Sequence, residues 1–372
     1  MAMQVLERDA NGREMKFSII RPDNWHAHVR AGTKMKAVVA AIAAVYGRAT
    51  VMPNTQPIMT VAQAINYRDE IVNTLLEQGF SWERARIFPQ MTLYLHQELT
   101  NDKIRRAKEF GIIGIKFYPK NPKHGTIGSQ AGVSSLDDVR SQLESMCKYG
   151  MPLLLHGESA FHSQIIDLER YFVTDQLAPT VERYPELPIV LEHVSTKEGV
   201  RFVLDAPPRV TATVTPQHLM YDINSIFEGG LRSHRYCLPI YKHPEDQEAL
   251  IQAVTDKNNT KFAAGDDSAP HPEHGPKGKA KLADCGCAGA YVAPVSVPLY
   301  VAAFEKAGAL DDRFEAFMSR NGAKARGLPQ NKDEIIIARK PWIVPANFDY
   351  ADGDTVVPLC AGEELEWQVV QN

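Results

Sequence analysis

Two histidines one residue apart, His26 and His28, stand in RPDNWHAHVR, with Arg30 two positions further on. Chance does not exclude such a pair: 12 histidines in 372 residues give about 0.4 His-x-His pairs at random. The pair gains meaning from its company. On an extended segment residues i and i+2 point the same way, so both imidazoles can meet one metal ion. Arg30 joins that side if the extended path continues. Similar residues recur downstream: Lys116 in GIKFYP, His156 in LLLHGE, His193 in VLEHVS and Asp267 in AAGDDSAPH. Four imidazoles, a carboxylate and a lysine are the ingredients of a metal hydrolase centre, and imidazole with carboxylate suits zinc. The lysine is the odd member, because an ammonium repels cations. Its amine can react with carbon dioxide to give a carbamate, an anion able to bridge two metals about 3.5–4 Å apart.

Each of these residues has an ordinary reading by itself. A histidine at a strand end is commonly a hydrogen-bonded structural residue. A lone Lys116 snorkels or pairs, and Asp267 caps a loop. Asn54 in VMPNTQP suits a turn, and Arg30 suits a surface ion pair. Their common placement argues for chemistry. Strand-like runs, bounded by Gly, Pro or polar residues, fall at 17–20, 48–52, 86–92, 112–118, 151–156, 188–193, 209–215 and 261–265. Helix-like runs lie between them, at 34–46, 60–79, 135–150 and 245–256. Thr60 serves as a cap, and Gly79 and Gly150 as stops. Eight strand–helix units predict an α/β fold, a (β/α)8 TIM-type barrel, with a doubly wound open sheet as the alternative. His26 and His28 then follow the first strand, Lys116 nears the end of the fourth, His156 and His193 end the fifth and sixth, and Asp267 follows the eighth. Carboxyl ends are where barrel enzymes build their sites. The chain reads as one domain, 1–372, whose short C-terminal extension, about 334–372, packs on the barrel.

Composition narrows the field. The net charge of −4 gives no electrostatic reason to expect nucleic acid. The longest apolar run, AVVAAIAAVY at 37–46, is about half a membrane span. The N-terminal residues are charged and lack the apolar core of a signal peptide, so the expected location is cytoplasmic. Five cysteines, an odd number in a long chain, do not suggest a disulfide framework. Cys285 and Cys287 in CGC read as loop residues, because C-x2-C spacing and a second pair are missing. Among the other histidines, His96 and His162 lie in helix-like segments and are expected to face solvent. His124, His234, His243 and His274 lie in polar loops, and His218 follows the seventh strand without a role. Glu158 and Glu192 flank two of the reactive histidines and suit partners that orient imidazoles.

RPDNWHAHVR, VMPNTQP, GIKFYP, MPLLLHGE, LEHVSTK, ATVTPQHLM, YCLPI, GDDSAPH and CGCAGA, in that order over about residues 20–330, resemble the dihydroorotase family. The likeness is to its bacterial class with a short N-terminus, within the amidohydrolase superfamily. The resemblance implies reversible cyclisation of N-carbamoyl-L-aspartate to (S)-dihydroorotate with loss of water, in pyrimidine biosynthesis. It implies two zinc ions per subunit and a hydroxide between them. One ion would take His26, His28, Asp267 and the carbamate of N6-carboxylated Lys116; the other would take that carbamate, His156 and His193. Asp267 would also be the proton shuttle. Asp266 is its competitor, since only one of two adjacent residues faces a given side. The substrate carboxylate would meet Arg30, Asn54 and His271, with backbone at Leu238 and Ala288 touching the ring. A homodimer is the family expectation.

The chain departs from the family pattern twice. The loop after KFYP commonly carries a Thr-Thr pair that closes on substrate. Here KNPKHGTIGSQAGVSS offers only Thr126, within an expected lid at 120–134. The segment from His271 to Cys285 is longer and basic, and its role is open. Two other readings compete. A hydantoinase would share the metal residues, but those relatives carry a longer segment before the first His-x-His, and a plain hydantoin has no carboxylate for Arg30 and Asn54. A non-catalytic barrel could tolerate loss of ligands, yet all six ligand positions are filled.

Overall fold

The structure is a computed structural model that describes residues 3–370, apart from 11, 13, 55, 122–130, 276–278, 284–285 and 352. Thr126, most of the expected lid, His124 and Cys285 therefore lie outside the described residues. The chain opens with two antiparallel strands, β1 (Gln4–Arg8) and β2 (Glu14–Ile20). Eight short parallel strands follow: β3 (Asn24–Ala27), β4 (Ala49–Val51), β5 (Pro89–Tyr94), β6 (Gly114–Phe117), β7 (Leu153–His156), β8 (Ile189–Glu192), β9 (Val210–Val214) and β10 (Phe262–Ala264). Each pairs with the next in sequence order, and nearly every residue in them is buried. Runs such as LLLH and VTATV are aliphatic or β-branched because one face fills the barrel and the other meets helices.

The sheet closes at its seam. Ala27 and Ser268 form a parallel bridge. Just past the strand ends, the Asp267 N–H donates to the His26 carbonyl at 3.0 Å and the His28 N–H to the Ser268 carbonyl at 3.1 Å. The barrel expectation is thus met, and the open sheet is set aside.

The first predicted strand was misplaced. Residues 17–20 belong to β2, and the first barrel strand is the less apolar NWHA of β3. Pro22, with no N–H to give a ladder, separates the two. The run at 86–92 is also split: a helix takes Trp82–Ile87, and β5 begins only at Pro89. The helices match more closely. Val61–Glu77 starts in a Thr60–Gln63 capping box, and Arg140–Tyr149 ends on Gly150 at φ 57°.

The tail forms β11 (Glu334–Ile343), a small hairpin of β12 (Phe348–Asp349) and β13 (Thr355–Val356), and β14 (Glu364–Val370). β11 pairs with β2 and with β14, so the two ends of the chain share one four-stranded antiparallel sheet. Buried Trp367 fixes that sheet to the barrel. Its ring meets Phe17 of β2 edge-on at 5.4 Å within the sheet, and its Nε1–H reaches out to Glu305, on the helix Ser296–Lys306, at 3.0 Å.

β3 is held firmly from behind. Arg48 donates to both oxygens of buried Asp23 at 2.9 and 2.6 Å. Trp25 lies against Gly322, where an added Cβ would fall 1.9 Å from the indole nitrogen. With Trp25 turned outward, alternation turns His26 into the barrel.

Candidate metal centre

His26, His28, His156, His193 and Asp267 line one cavity of about 410 Å3 at the carboxyl ends of the strands. Three of them come closest: one ligand atom each from His26, His193 and Asp267 lie within 4.8 Å of one another. His28 Nε2 is 3.1 Å and His26 Nε2 3.3 Å from the same Asp267 oxygen. The His26 and His193 rings are 4.9 Å apart and the His156 and His193 rings 4.7 Å apart. Lys116 is fully buried beneath them, and its Nζ donates to Glu192. The structure thus gathers all six residues that the sequence singled out.

Local backbone serves this convergence. Three non-glycine residues at the site adopt left-handed φ: Arg30 at 60°, His193 at 41° and Asp267 at 48°. Such conformations cost about 1–3 kcal/mol each and persist where the surroundings impose them. The His193 N–H donates to Thr213 Oγ1 at 2.9 Å, and the Asp267 N–H is the seam bond to His26. The extended path expected through Arg30 therefore stops there. Its side chain still lines the cavity, with Nε donating to the Pro270 carbonyl at 2.8 Å.

Electrostatics follow from burial. Burial would raise the carboxyls of Asp267 and Glu192, but nearby groups outweigh it. The His26 imidazole, the bond from His28 and the Lys116 ammonium hold Asp267 at about 2. Lys116 and His26 hold Glu192 at about 2. Burial lowers the Lys116 amine and brings His28 down to about 4. His193 is pushed well below the usual histidine range by burial and its cationic neighbours. Its buried Nδ1 has no hydrogen-bond partner among the described residues, a deficit a metal ion would satisfy. The Asp267 carboxylate and four imidazoles, one with an orphaned ring nitrogen, fit a cation.

Glu192 and Glu158 sit as orienting partners would. Glu192 Oε1 is 3.3 Å from His26 Nδ1, and Glu158 is 2.7 Å from His156 Nε2. Asp266 turns away from the cavity and accepts the Ser268 N–H at 2.9 Å, so Asp267 alone of the pair faces it. Arg30, Asn54, Leu238, His271 and Ala288 all line the wall. A terminal Arg30 nitrogen is 3.3 Å from His271 Nε2, and the buried Asn54 Oδ1 has no partner among the described residues.

The sequence reading missed Tyr118 and Tyr350, which also line the cavity. Tyr118 was within reach, since it stands two residues after Lys116 on the same extended run. Tyr350 carried no signal: it comes from the tail and donates to the Pro270 carbonyl at 3.2 Å. His96 does not face solvent as expected. It is buried after β5, not in a helix, because its ring packs back towards the Met59 carbonyl. His162 is also outside any helix, partly covered and stacked on Tyr171 at 3.8 Å. His218 is a structural residue, bound to Thr215 at 2.7 Å and to the Pro239 carbonyl at 3.0 Å.

Comparison with known proteins agrees with this geometry. A scan against protein-family models gave no match. The chain is 44% identical to a dihydroorotase of Aromatoleum aromaticum over 357 residues, covering 95% of this chain and 99% of that one. Among solved structures, dihydroorotase from Saccharomyces cerevisiae in complex with 5-fluoroorotic acid superposes with a TM-score of 0.84 at 26% identity, covering 96% of this chain and 98% of that one. An L-hydantoinase from Arthrobacter aurescens superposes at 0.75 with 15% identity, covering 95% and 83%, and shares the fold. With curated identity of this order over nearly the whole length, the chain belongs to the dihydroorotase family.

Proposed function

We propose that the protein is a zinc-dependent dihydroorotase that interconverts N-carbamoyl-L-aspartate and (S)-dihydroorotate in pyrimidine biosynthesis. The observation that carries this reading is one cavity with two chemistries on its wall. His26, His28, His156, His193 and Asp267 line it, with Lys116 buried behind them on Glu192, and Arg30, Asn54 and His271 line it as well. The first set would hold two zinc ions, with Lys116 carboxylated. Burial favours the uncharged amine of Lys116, the form that reacts with carbon dioxide. When bound, the metals supply a water ionised near neutral pH and polarise the amide carbonyl.

The remaining work falls to side chains. Arg30 offers directional donors to the substrate carboxylate, with Asn54 and His271 alongside it. In hydrolysis Asp267 takes the proton lost by the attacking water and delivers it to the departing ring nitrogen. Cyclisation runs the same transfers in reverse. Backbone at Leu238 and Ala288 would hold the ring. A plain hydantoin would leave Arg30 without its carboxylate, which favours dihydroorotate over the hydantoinase reading. The reading includes a cytoplasmic homodimer, whose mass light scattering would report.

The test is carbamoyl-aspartate cyclisation with zinc measured on the same sample. Cyclisation with about two zinc ions per chain is expected. Turnover of hydantoin but not dihydroorotate would move the protein to the neighbouring activity. A metal-free, inactive protein would overturn the reading.

A further inference from the structure

The longer, basic segment after His271 carries a buried cation that the chemistry above does not use. Lys281 is 4% exposed. Its Nζ donates to three backbone carbonyls: Tyr236 at 2.9 Å, Cys287 at 3.0 Å and Gly289 at 2.9 Å. These carbonyls belong to two separate loops. Cys287 and Gly289 flank Ala288, and Tyr236 precedes Leu238 by two residues. Leu238, Ala288 and Gly289 line the cavity, and Lys281 does not.

The lysine is itself firmly placed. Its N–H donates to the Pro272 carbonyl at 3.0 Å, and the Leu282 N–H donates to Glu273 at 3.0 Å. The Cys287 N–H returns to the Ala280 carbonyl at 3.1 Å, and the Gly289 N–H reaches the Tyr236 carbonyl at 3.0 Å. The turn at 280–282 is thus stitched to the residues just after His271 on one side and to the Ala288 loop on the other. Gly289 presses against that wall: at φ 137°, an added Cβ would lie 2.6 Å from the Ala269 carbonyl and 2.9 Å from the His271 ring. Small movements of this loop therefore reach His271 directly.

We infer that Lys281 is a positioning residue for substrate binding: its ammonium clamps the Leu238 and Ala288 loops together and so sets the backbone that meets the substrate ring. An ammonium suits the task because its three donors are met by three carbonyls, and hydrogen bonds from a charged donor are stronger than neutral ones. Burial brings the amine down to about 8, so it is still mainly charged at neutral pH.

The inference rests on the dihydroorotase reading, so wild-type activity is measured first; an inactive, metal-free wild type defeats that reading and not the clamp. With active wild type, Lys281→Met is expected to raise KM for dihydroorotate about tenfold, with kcat within about threefold and zinc content unchanged. Loss of interactions shared by ground and transition state has this signature. A lysine that only stabilised the fold would reduce the active fraction, and so apparent kcat, with KM unchanged. Lys281→Arg keeps the charge and should recover part of the KM. If the methionine variant does not fold, Lys281→Gln gives the same reading, because its amide leaves fewer carbonyls unmet. A KM within twofold of wild type in a folded, zinc-replete Met or Gln variant overturns the inference.

Discussion

Arg30→Met should remove the substrate's anchor while sparing the metal centre. Arg30 divides its donors: Nε is committed to the Pro270 carbonyl at 2.8 Å, and a terminal nitrogen lies 3.3 Å from His271 Nε2. Burial, reinforced by the Arg30 charge, holds His271 well below the usual histidine range, so this imidazole is neutral beside the guanidinium. The side chain lines the cavity beside Tyr350, with which it also interacts. Losing the charged partner of a carboxylate in such a site costs about 2–5 kcal/mol. At about 1.36 kcal/mol per decade, kcat/KM falls about 30-fold to 5,000-fold. The left-handed φ at position 30 is shared by both residues, so folding strain cancels to first order. Arg30→Lys should fare nearly as badly, because one ammonium cannot bond Pro270 and also present a planar fork. The assay is steady-state hydrolysis of dihydroorotate with zinc and thermal unfolding measured on each variant. A double-mutant cycle with His271→Asn should give a coupling of about 0.5–3 kcal/mol, as expected for groups in contact. A kcat/KM for Arg30→Met within about tenfold of wild type, or 1.4 kcal/mol, would refute the anchor.

Other outcomes follow from the same geometry. Lys116→Ala should lose both zinc and activity, with partial recovery in short carboxylic acids; intact binding of two metals by elemental analysis would count against a carboxylated lysine. Asp267→Asn should retain at least one zinc and lose several orders of magnitude in kcat, whereas Asp266→Asn, turned away from the cavity, should be milder; the reverse order of kcat values would misassign the shuttle. Cyclisation consumes one proton at neutral pH, so the ratio of dihydroorotate to carbamoyl-aspartate at equilibrium should fall about tenfold per pH unit, which chromatography of equilibrated mixtures can check. Arg48→Met would leave Asp23 buried with its charge unmatched and should cost about 3–5 kcal/mol of stability, read by denaturant unfolding; a loss under 1 kcal/mol would mean that Asn331, 2.8 Å from Asp23, suffices.

Much of the site was legible because its signals are local. His26 and His28 share a face through the two-residue period of a strand. Lys116, His156 and His193 each lie at or near the end of an aliphatic run, where a parallel barrel puts its chemistry. Family resemblance, not strand period, selects Asp267 over Asp266, since Asp267 lies beyond the end of β10 at a left-handed φ of 48°. The first barrel strand was not legible: NWHA is short and polar, and FSII nearby is a better strand that pairs instead with residues 334–338. Nor could local pattern foresee that His96 would be buried or that Tyr350 would wall the cavity, because both depend on packing between distant segments.

What the sequence determined by itself is the kind of chemistry and the side of each strand that bears it, since residue type and alternation are properties of a few neighbouring positions. Tertiary structure decided whether those sides meet. His26 and Asp267 are brought together only because the eighth strand closes on the first, with the Asp267 N–H on the His26 carbonyl. The left-handed turns at Arg30, His193 and Asp267 are strained conformations; His and Asp tolerate them better than most residues, but that tolerance does not locate them. They hold because the closed barrel and its hydrogen bonds leave those residues no other path. The Lys281 clamp has the same origin: a basic loop in the sequence becomes a buried cation only when two loops fold around it and present three carbonyls.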